Sequence, residues 1–383
     1  MRSVIFRAPA LSQSGYGVHA RQVFRWLEEK NLRVFTQVVN WGSTPWYVNP
    51  DAMDGMIGRI MLTTNDIPAK ADVSIQLQLP DEWDAALGSV NIGMTALVET
   101  DICNPVWIDA VNKMTAVVLP SNFAKDTLIR SSMSRPVKTR VEVVPESFPD
   151  ALLKKSEISL DLTTSFNFLI VSQLTAVSPS EDRKNIINTV RWISEEFKDD
   201  ASVGVIVKTN SGRSTTIDRS LTRSALASAV SGAKSKVQLY MLHGDVPEEQ
   251  MAGLYQHPKV RALVSLTRGE GFGLPLLEAA ASGLPVIATN WSAHTEFLGK
   301  KYIGIDHQLI PVPKGRIDGR IFVQGSKWAD PSEADFKRRI KKFKSSPVVP
   351  REWAAELMET TRKSYGWPAV REIYDRVLLP IIG

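Results

Sequence analysis

Apolar residues in this chain come in short runs, each followed by a stretch in which they recur every three or four positions. "SVIFRAP" (3–9) reads as a buried strand, and "GVHARQVFRWLEEK" (17–30) as the amphipathic helix after it. "RVFTQVV" (33–39), "DVSIQLQL" (72–79), "SVNIGMTALV" (89–98), "TAVVLPS" (115–121) and "VEVVPESF" (141–148) continue the strand series. The pattern pauses at the polar "PDALLKKSEISLDLTTS" (149–165), which reads as a linker. A second alternating series follows: "FNFLIVSQL" (166–174), "SVGVIVKTN" (202–210), "KVQLYMLHG" (236–244), "RALVSLT" (261–267) and "LPVIAT" (284–289). Strands alternating with helices imply parallel sheets covered on both faces. Two such series predict an α/β protein of two doubly wound, Rossmann-like domains facing a central cleft, with ligands at the carboxyl ends of the strands. "FKRRIKKFK" (336–344) places Phe336, Ile340 and Phe343 at helical spacing, so it reads as a surface helix with a solvated basic face.

A length of 383 residues suits two domains better than one. Hydrophobic residues at 43 % and charged residues at 23 % are ordinary globular values, so composition excludes disordered and fibrous classes. No apolar run approaches a membrane span, and the interrupted N-terminal segment does not read as a signal peptide. Cys103, the single cysteine, excludes an internal disulfide framework. These features predict a cytoplasmic protein. The formal net charge is +5, but residues 1–155 hold 16 Lys+Arg against 16 Asp+Glu, so the excess lies in the second half. A modest positive balance is compatible with phosphate-bearing partners without choosing among them.

The segment richest in chemistry is "SLTRGEGFGLPLLEAAASG" (265–283), a strand, a loop and a helix in order. Its glycines let the backbone approach a ligand, and the free N–H groups at the helix start favour anions or hydroxyls. Glu270 lies in the loop and Glu278 inside the helix. Carboxylates only accept hydrogen bonds, which suits a sugar ring or a ribose and repels a bare phosphate. The combination asks for phosphate in the middle of a ligand and hydroxyls at both ends. An isolated Glu pair of this kind is otherwise a cap and a solvated helix residue. At 14–20, "SGYGVHA" carries G-x-G-x-x-A after a strand, as in dinucleotide-binding loops, but the following strand "RVFTQVVNW" ends without the acidic residue such a site requires. A nucleotide-dependent oxidoreductase is disfavoured on that ground, and His19 reads as a packing residue.

The 265–283 segment resembles the signature of retaining glycosyltransferases of the GT-B fold, most similar to glycosyltransferase family 4, with likeness over much of residues 160–300. "SEDRKN" (180–185) resembles the family's site for the donor diphosphate, and "LHGDVPEEQMAGLYQHPKVRALVSLTRGEGFG" (242–273) the run from base-contacting to sugar-contacting loops. The resemblance implies Arg183 and Lys184 on the diphosphate, Glu270 on sugar hydroxyls, and backbone N–H groups of Phe272, Gly273 and Leu274 lining sugar and phosphate. It also implies Glu278 on the ribose, Met241, Leu242 and His243 bordering the base, and Gly15 and Gly17 approaching donor and acceptor. Its domains would be 1–155 for the acceptor and 156–365 for the nucleotide-sugar, with a C-terminal helix at about 366–383 packing back on the first. No Asp-x-Asp triplet occurs, so no essential metal is expected, and no cofactor, since a nucleotide-sugar is a co-substrate.

The chain departs from the family in its first half. A His expected near the sugar is replaced within "GMTALVETD" by Glu99, Thr100 and Asp101, of which Glu99 is the candidate to face the reacting centre. The usual Asn-Gly after "VVP" is Glu146-Ser147. Tyr16, Trp41, Trp46, Tyr47, Trp83 and Trp107 read as loop aromatics, and "RSSMSRPVKTR" (130–140) supplies Arg130, Arg135, Lys138 and Arg140 with no acid. Aromatics with basic residues stack bases and hold phosphates, though aromatics also stack sugars or fill cores. Tyr16, Trp41, Trp46, Arg135, Lys138 and Arg140 are the candidate acceptor contacts. The first half also resembles glycosyltransferases encoded by bacterial viruses, some of which modify 5-hydroxymethylcytosine. That implies double-stranded DNA with hydroxymethyl bases as a partner, a UDP-linked hexose as donor, and a host cytoplasm as the location. The alternatives are a bacterial enzyme acting on a surface polysaccharide, a lipid-linked or a small-molecule acceptor, and a non-catalytic nucleotide-sugar-binding module. The first helix mixes Arg21 and Arg25 with Glu28 and Glu29, a poor membrane binder, so no stable membrane association is expected.

Overall fold

Runs of Val, Ile, Leu and Phe that are apolar at consecutive positions need cover on both faces, and a parallel sheet between helix layers provides it. The computed structural model describes residues 1–132, 135–232 and 234–383. They divide into two units, the first being Met1–Ser147, Asp318–Val323 and Trp367–Gly383, the second Phe148–Ile317 and Gln324–Gly366.

In the first unit, strands β1 (Arg2–Ala8), β2 (Leu32–Val38), β3 (Ala71–Leu77), β4 (Gly88–Met94), β5 (Ala116–Leu119) and β6 (Arg140–Val143) form one parallel sheet in the order β2-β1-β3-β4-β5-β6. Val4 of β1 lies opposite Val34 on one side and Val73 on the other, and Val4, Ile5 and Phe6 are fully buried. Helix Gly15–Glu28 begins where the Ser14 hydroxyl accepts the Gly17 N–H at 3.1 Å, which supplies an N-cap. A Cβ on Gly17 would fall 1.9 Å from the Ser12 carbonyl oxygen, so this glycine is required by close packing of helix on loop. The terminal helix Trp367–Ile382 completes the core with Trp367, Val370, Tyr374, Val377 and Leu378. His19 bonds the Tyr374 hydroxyl at 3.1 Å, and burial pulls its pKa down to about 4, so it is a neutral packing group. Trp83 and Trp107 are core rather than loop platforms: Trp107 is buried, and the Trp83 indole fills the space left by the missing side chain of Gly93. Periodicity could not reveal this, because Trp83 ends a three-residue 3-10 turn and Trp107 opens a five-residue helix, both too short to show a repeat.

The second unit has strands β7 (Phe166–Val171), β8 (Val203–Thr209), β9 (Gln238–His243), β10 (Val260–Ser265), β11 (Val286–Thr289) and β12 (Ile303–Ile305), parallel, in the order β12-β11-β10-β7-β8-β9. Counted from β7 this is the doubly wound 3-2-1-4-5-6 order, with the reversal between β7 and β10. Helices Ile186–Glu196, Thr216–Ser231 and Glu333–Ser345 bury their apolar residues on one face, and Glu248–Gln256, Leu274–Ala281 and His294–Leu298 on the other. The polar 149–165 stretch is anchored here, since Leu152 and Leu162 enter this core together with Phe148. An antiparallel hairpin, β13 (His307–Pro311) with β14 (Lys327–Pro331), has no counterpart in the sequence reading. In helix Glu333–Ser345, Phe336, Ile340 and Phe343 are buried, while Lys341 and Lys344 reach Glu196 and Asp200 at 3.3 and 2.8 Å. Its basic face is therefore partly neutralised. Among the described residues no helix is long and apolar enough to cross a membrane.

Candidate functional site

In an open α/β sheet the crevice for a ligand opens where strand order reverses, beyond the carboxyl ends of the two strands concerned. In the second unit these are β7 and β10. The loop after β7 is shaped by buried Asp182. One of its carboxylate oxygens accepts the Thr175 hydroxyl at 2.6 Å, and the other accepts the Ile186 N–H at 2.7 Å, capping helix Ile186–Glu196. Asn185 adopts the left-handed region (φ 54°) to make the turn. This fixes the backbone that presents Arg183 and Lys184.

The loop after β10 is tied to it directly. The Arg268 N–H donates to the Arg183 carbonyl at 2.8 Å, and the Arg183 guanidinium donates to the Gly269 carbonyl at 2.7 Å. The Lys184 ammonium bridges both carboxylate oxygens of Glu270 at 2.6 and 2.7 Å, with Arg183 at 3.9 Å. Glu270 is buried. Burial pushes its pKa up, but the Lys184 and Arg183 charges outweigh burial and hold it below the ordinary range. It is therefore an anion at neutral pH, permanently an acceptor.

Gly273 caps helix Leu274–Ala281 with φ 104°, and an added Cβ would crowd the Leu276 and His294 side chains. The Phe272 ring packs on Phe297 and Tyr365, leaving its backbone rather than its ring to a ligand. Glu278 faces inward and accepts the Tyr255 hydroxyl at 2.7 Å. Burial raises its pKa to about 7. Lys208 at the end of β8 is close enough for its charge to oppose that rise, and burial lowers its own pKa. Neighbours along a strand point to opposite faces, so the three base-bordering candidates on β9 separate. Leu242 packs with the Leu274–Ala281 face, which carries Glu278, whereas Met241 packs on the other and lines a groove with Arg219, Arg223 and Leu226. His243 is engaged with Asp218 at 2.7 Å.

Gly15 opens helix Gly15–Glu28, and a Cβ there would meet nothing within 4 Å, unlike at Gly17. Tyr16 stacks on Trp41 with ring centroids 3.7 Å apart, and its hydroxyl meets Thr95 Oγ1 and the Ala96 N–H, both at 3.0 Å. That hydroxyl ties the helix start to the loop carrying half-buried Glu99. Trp46 is 38 % exposed, and Lys138 is exposed. Arg135 pairs with Asp109, and Arg140 with Glu142 at 2.6 Å, so these two cations have partners, contrary to their reading as an unpaired patch. The acids came from outside the basic run, which is why the run itself did not show them. Met133 and Ser134 of that run lie outside the described residues.

Residues 234–307 match the family described as Glycosyl transferases group 1. Sucrose-phosphate synthase from Thermosynechococcus elongatus is similar in structure at a TM-score of 0.66 and 12 % identity, covering 100 % of this chain and 99 % of that one. A glycosyltransferase from Rickettsia africae gives 0.64 at 15 % identity, covering 98 % of both. HepE from Anabaena, in complex with UDP and glucose, gives 0.61 at 12 % identity, covering 99 % of this chain and 100 % of that one. No curated sequence matches the chain. The family match spans β9 to β12 and includes the loop after β10 with Glu270, but not the loop after β7 with Arg183 and Lys184. The fold is that of GT-B glycosyltransferases, and the family match over residues 234–307 indicates a glycosyltransferase.

Several groups in the second unit were not legible in the sequence. Tyr255, Lys208 and Asp218 are partners brought in from distant elements, and no local spacing announces them. Ser292 is hidden because a serine carries no signal that its backbone will adopt φ 82°. Asp182, next to Arg183, could have been found as an acid preceding a helix.

Proposed function

We propose that the enzyme transfers a hexose, with retention of configuration, from a UDP-hexose to an acceptor hydroxyl, in the cytoplasm and without a metal ion. The observation that carries this reading is the Lys184 ammonium on both oxygens of buried Glu270, with Arg183 beside them, at the reversal of strand order. Cations and a hydroxyl acceptor at one point suit a diphosphate adjoining a sugar. As the bond from the sugar carbon to the diphosphate oxygen breaks, negative charge grows on the diphosphate. Fixed cations stabilise that charge more than they stabilise the ground state. Glu270 accepts from sugar hydroxyls, and Glu278, facing inward with Leu242, from ribose hydroxyls. The UDP assignment is supported by similar structures that hold UDP with glucose or UDP-2-fluoro glucose. Glu99 is the first unit's candidate for the reacting centre, with Gly15 beside it in the proposal as a close-approach point.

For the acceptor, a saccharide or other small hydroxyl compound is favoured. Arg135 and Arg140, on which phosphate-backbone binding would rely, are paired with Asp109 and Glu142. The second reading, 5-hydroxymethylcytosine in duplex DNA, is favoured by exposed Trp46 and Lys138, a π surface and a cation suited to an extruded base and its backbone. One experiment separates the readings. The protein is incubated with UDP-, GDP- and ADP-linked hexoses, alone, with oligosaccharides, and with hydroxymethylated DNA. Diphosphate release and acceptor mass are then recorded. Release from UDP-hexose with mass gain on a saccharide is the expected result. Mass gain on DNA, with binding that weakens steeply with salt, would replace the saccharide. Binding without release from any donor would leave a nucleotide-sugar-binding module.

A further inference from the structure

Glu270 is gripped by its backbone as well as by its side chain. Its N–H donates to Ser292 Oγ at 2.9 Å, and its carbonyl accepts the Ala293 N–H at 3.3 Å. Ser292 is buried and sits at φ 82°, a left-handed conformation that favours glycine. A serine in that region is strained, and the strain persists only where the surroundings enforce it. Here the surroundings include buried His294. Its Nε2–H donates to the Thr289 carbonyl at 2.8 Å, which leaves Nδ1 as an acceptor facing Ser292 Oγ at 3.4 Å. The serine proton is thereby directed at the imidazole, and the oxygen lone pairs at the Glu270 N–H. Helix His294–Leu298 and the strand end at Thr289 supply a rigid frame for this short chain of contacts.

We propose that Ser292 is a positioning residue for the transfer reaction, holding the Glu270 backbone so that its carboxylate stays aimed at the donor sugar, with His294 fixing the serine rotamer. A glycine would adopt the same backbone without strain, so a purely structural role would not retain serine there. The proposal rests on the reading of Glu270 as the sugar-hydroxyl acceptor, and the experiment tells the two apart.

Ser292→Gly, Ser292→Ala and Glu270→Gln are compared with wild type in three measurements: melting temperature, UDP affinity, and turnover on UDP-hexose. Ser292→Gly relieves the strain and removes the hydroxyl. It is expected to melt higher than wild type yet turn over about tenfold more slowly, with UDP affinity nearly unchanged. Ser292→Ala keeps the strain, and is expected to be equally slow and no more stable. Equal slowing in Ser292→Gly and Ser292→Ala, despite their different stabilities, assigns the loss to the missing hydroxyl rather than to the backbone. If Ser292→Gly is more stable and fully active while Glu270→Gln is slow, Ser292 does not position Glu270 but Glu270 keeps its role. If Glu270→Gln itself retains wild-type turnover, both assignments fall.

Discussion

Single side chains in the second unit set the pH and rate behaviour expected of the enzyme. Loss of either Arg183 or Lys184 to alanine should cut turnover about a hundredfold, the scale of one missing transition-state contact. Steady-state kinetics at saturating donor checks this, and wild-type rates in both variants would remove them from the diphosphate. If these two cations take the place of a metal as proposed, activity should survive excess chelator; rescue by added magnesium would contradict that. Glu278 is proposed to meet the ribose. Its pKa is about 7 in the folded protein against an ordinary 4.5, raised by burial. Ribose hydroxyls donating to the carboxylate would lower it, so the free protein holds more protons than the complex. Affinity for UDP-glucose should therefore rise with pH up to about 7 and level off above, and Glu278→Gln should flatten the profile. The same shift acts on folding. Between pH 4.5 and about 7 the native state binds more protons than the unfolded state, so this group's contribution to stability falls as pH rises through that window. Denaturant titrations of Glu278→Gln at pH 5 and pH 8 should show the variant gaining on wild type at the higher pH.

Secondary-structure elements determine which of these side chains meet. Helix Leu274–Ala281 starts at Gly273, and φ 104° there is what turns the loop from Glu270 into the helix. Gly273→Ala should cost about 1–3 kcal/mol of stability in thermal or denaturant unfolding, with turnover falling as well, because the helix start moves relative to Glu270. Unchanged stability would show that the turn does not depend on glycine. The alternation of strands and helices was legible because consecutive apolar runs in β7, β8 and β10 have few other uses than a covered parallel strand. Glu270 was singled out because it lies in the glycine-bearing loop after β10, whereas Arg183 and Lys184, well beyond the end of β7, were singled out only through the resemblance of "SEDRKN" to a diphosphate site. The face of a β9 residue was less so: Met241 and Leu242 are adjacent in sequence and opposite in space, and choosing between them requires knowing which helix covers which face. The hairpin of β13 and β14 was missed because its strands are joined through a long proline- and glycine-containing segment that gives no two-residue turn signal. Trp107, fully apolar in its surroundings, carried the same letters as a loop platform.

For the molecule as a whole, the first unit draws on residues from both ends of the given sequence, with the second unit's residues between them. The first unit's core takes Trp367, Tyr374 and Leu378 from the terminal helix, and the Arg2 guanidinium bonds the Ile382 carbonyl at the other end of the same unit. During synthesis the residues of the second unit therefore emerge before the last piece of the first. The N-terminal segment must wait on the ribosome with the faces of β1 and helix Gly15–Glu28 that Tyr374 and Leu378 later cover still open, while Phe148–Gly366 can close. Such exposed apolar surface is where aggregation starts and chaperones act. A chain ending at Gly366 should keep a protease-resistant second unit and lose protection over residues 1–147, and adding a synthetic peptide of residues 367–383 should restore it. Equal protection of both units in the shortened chain would show that the N-terminal strands close without their last helix. Genetic fusion of residue 383 to residue 1, with new ends opened between Ser147 and Phe148, would remove the wait and should raise the yield of soluble protein.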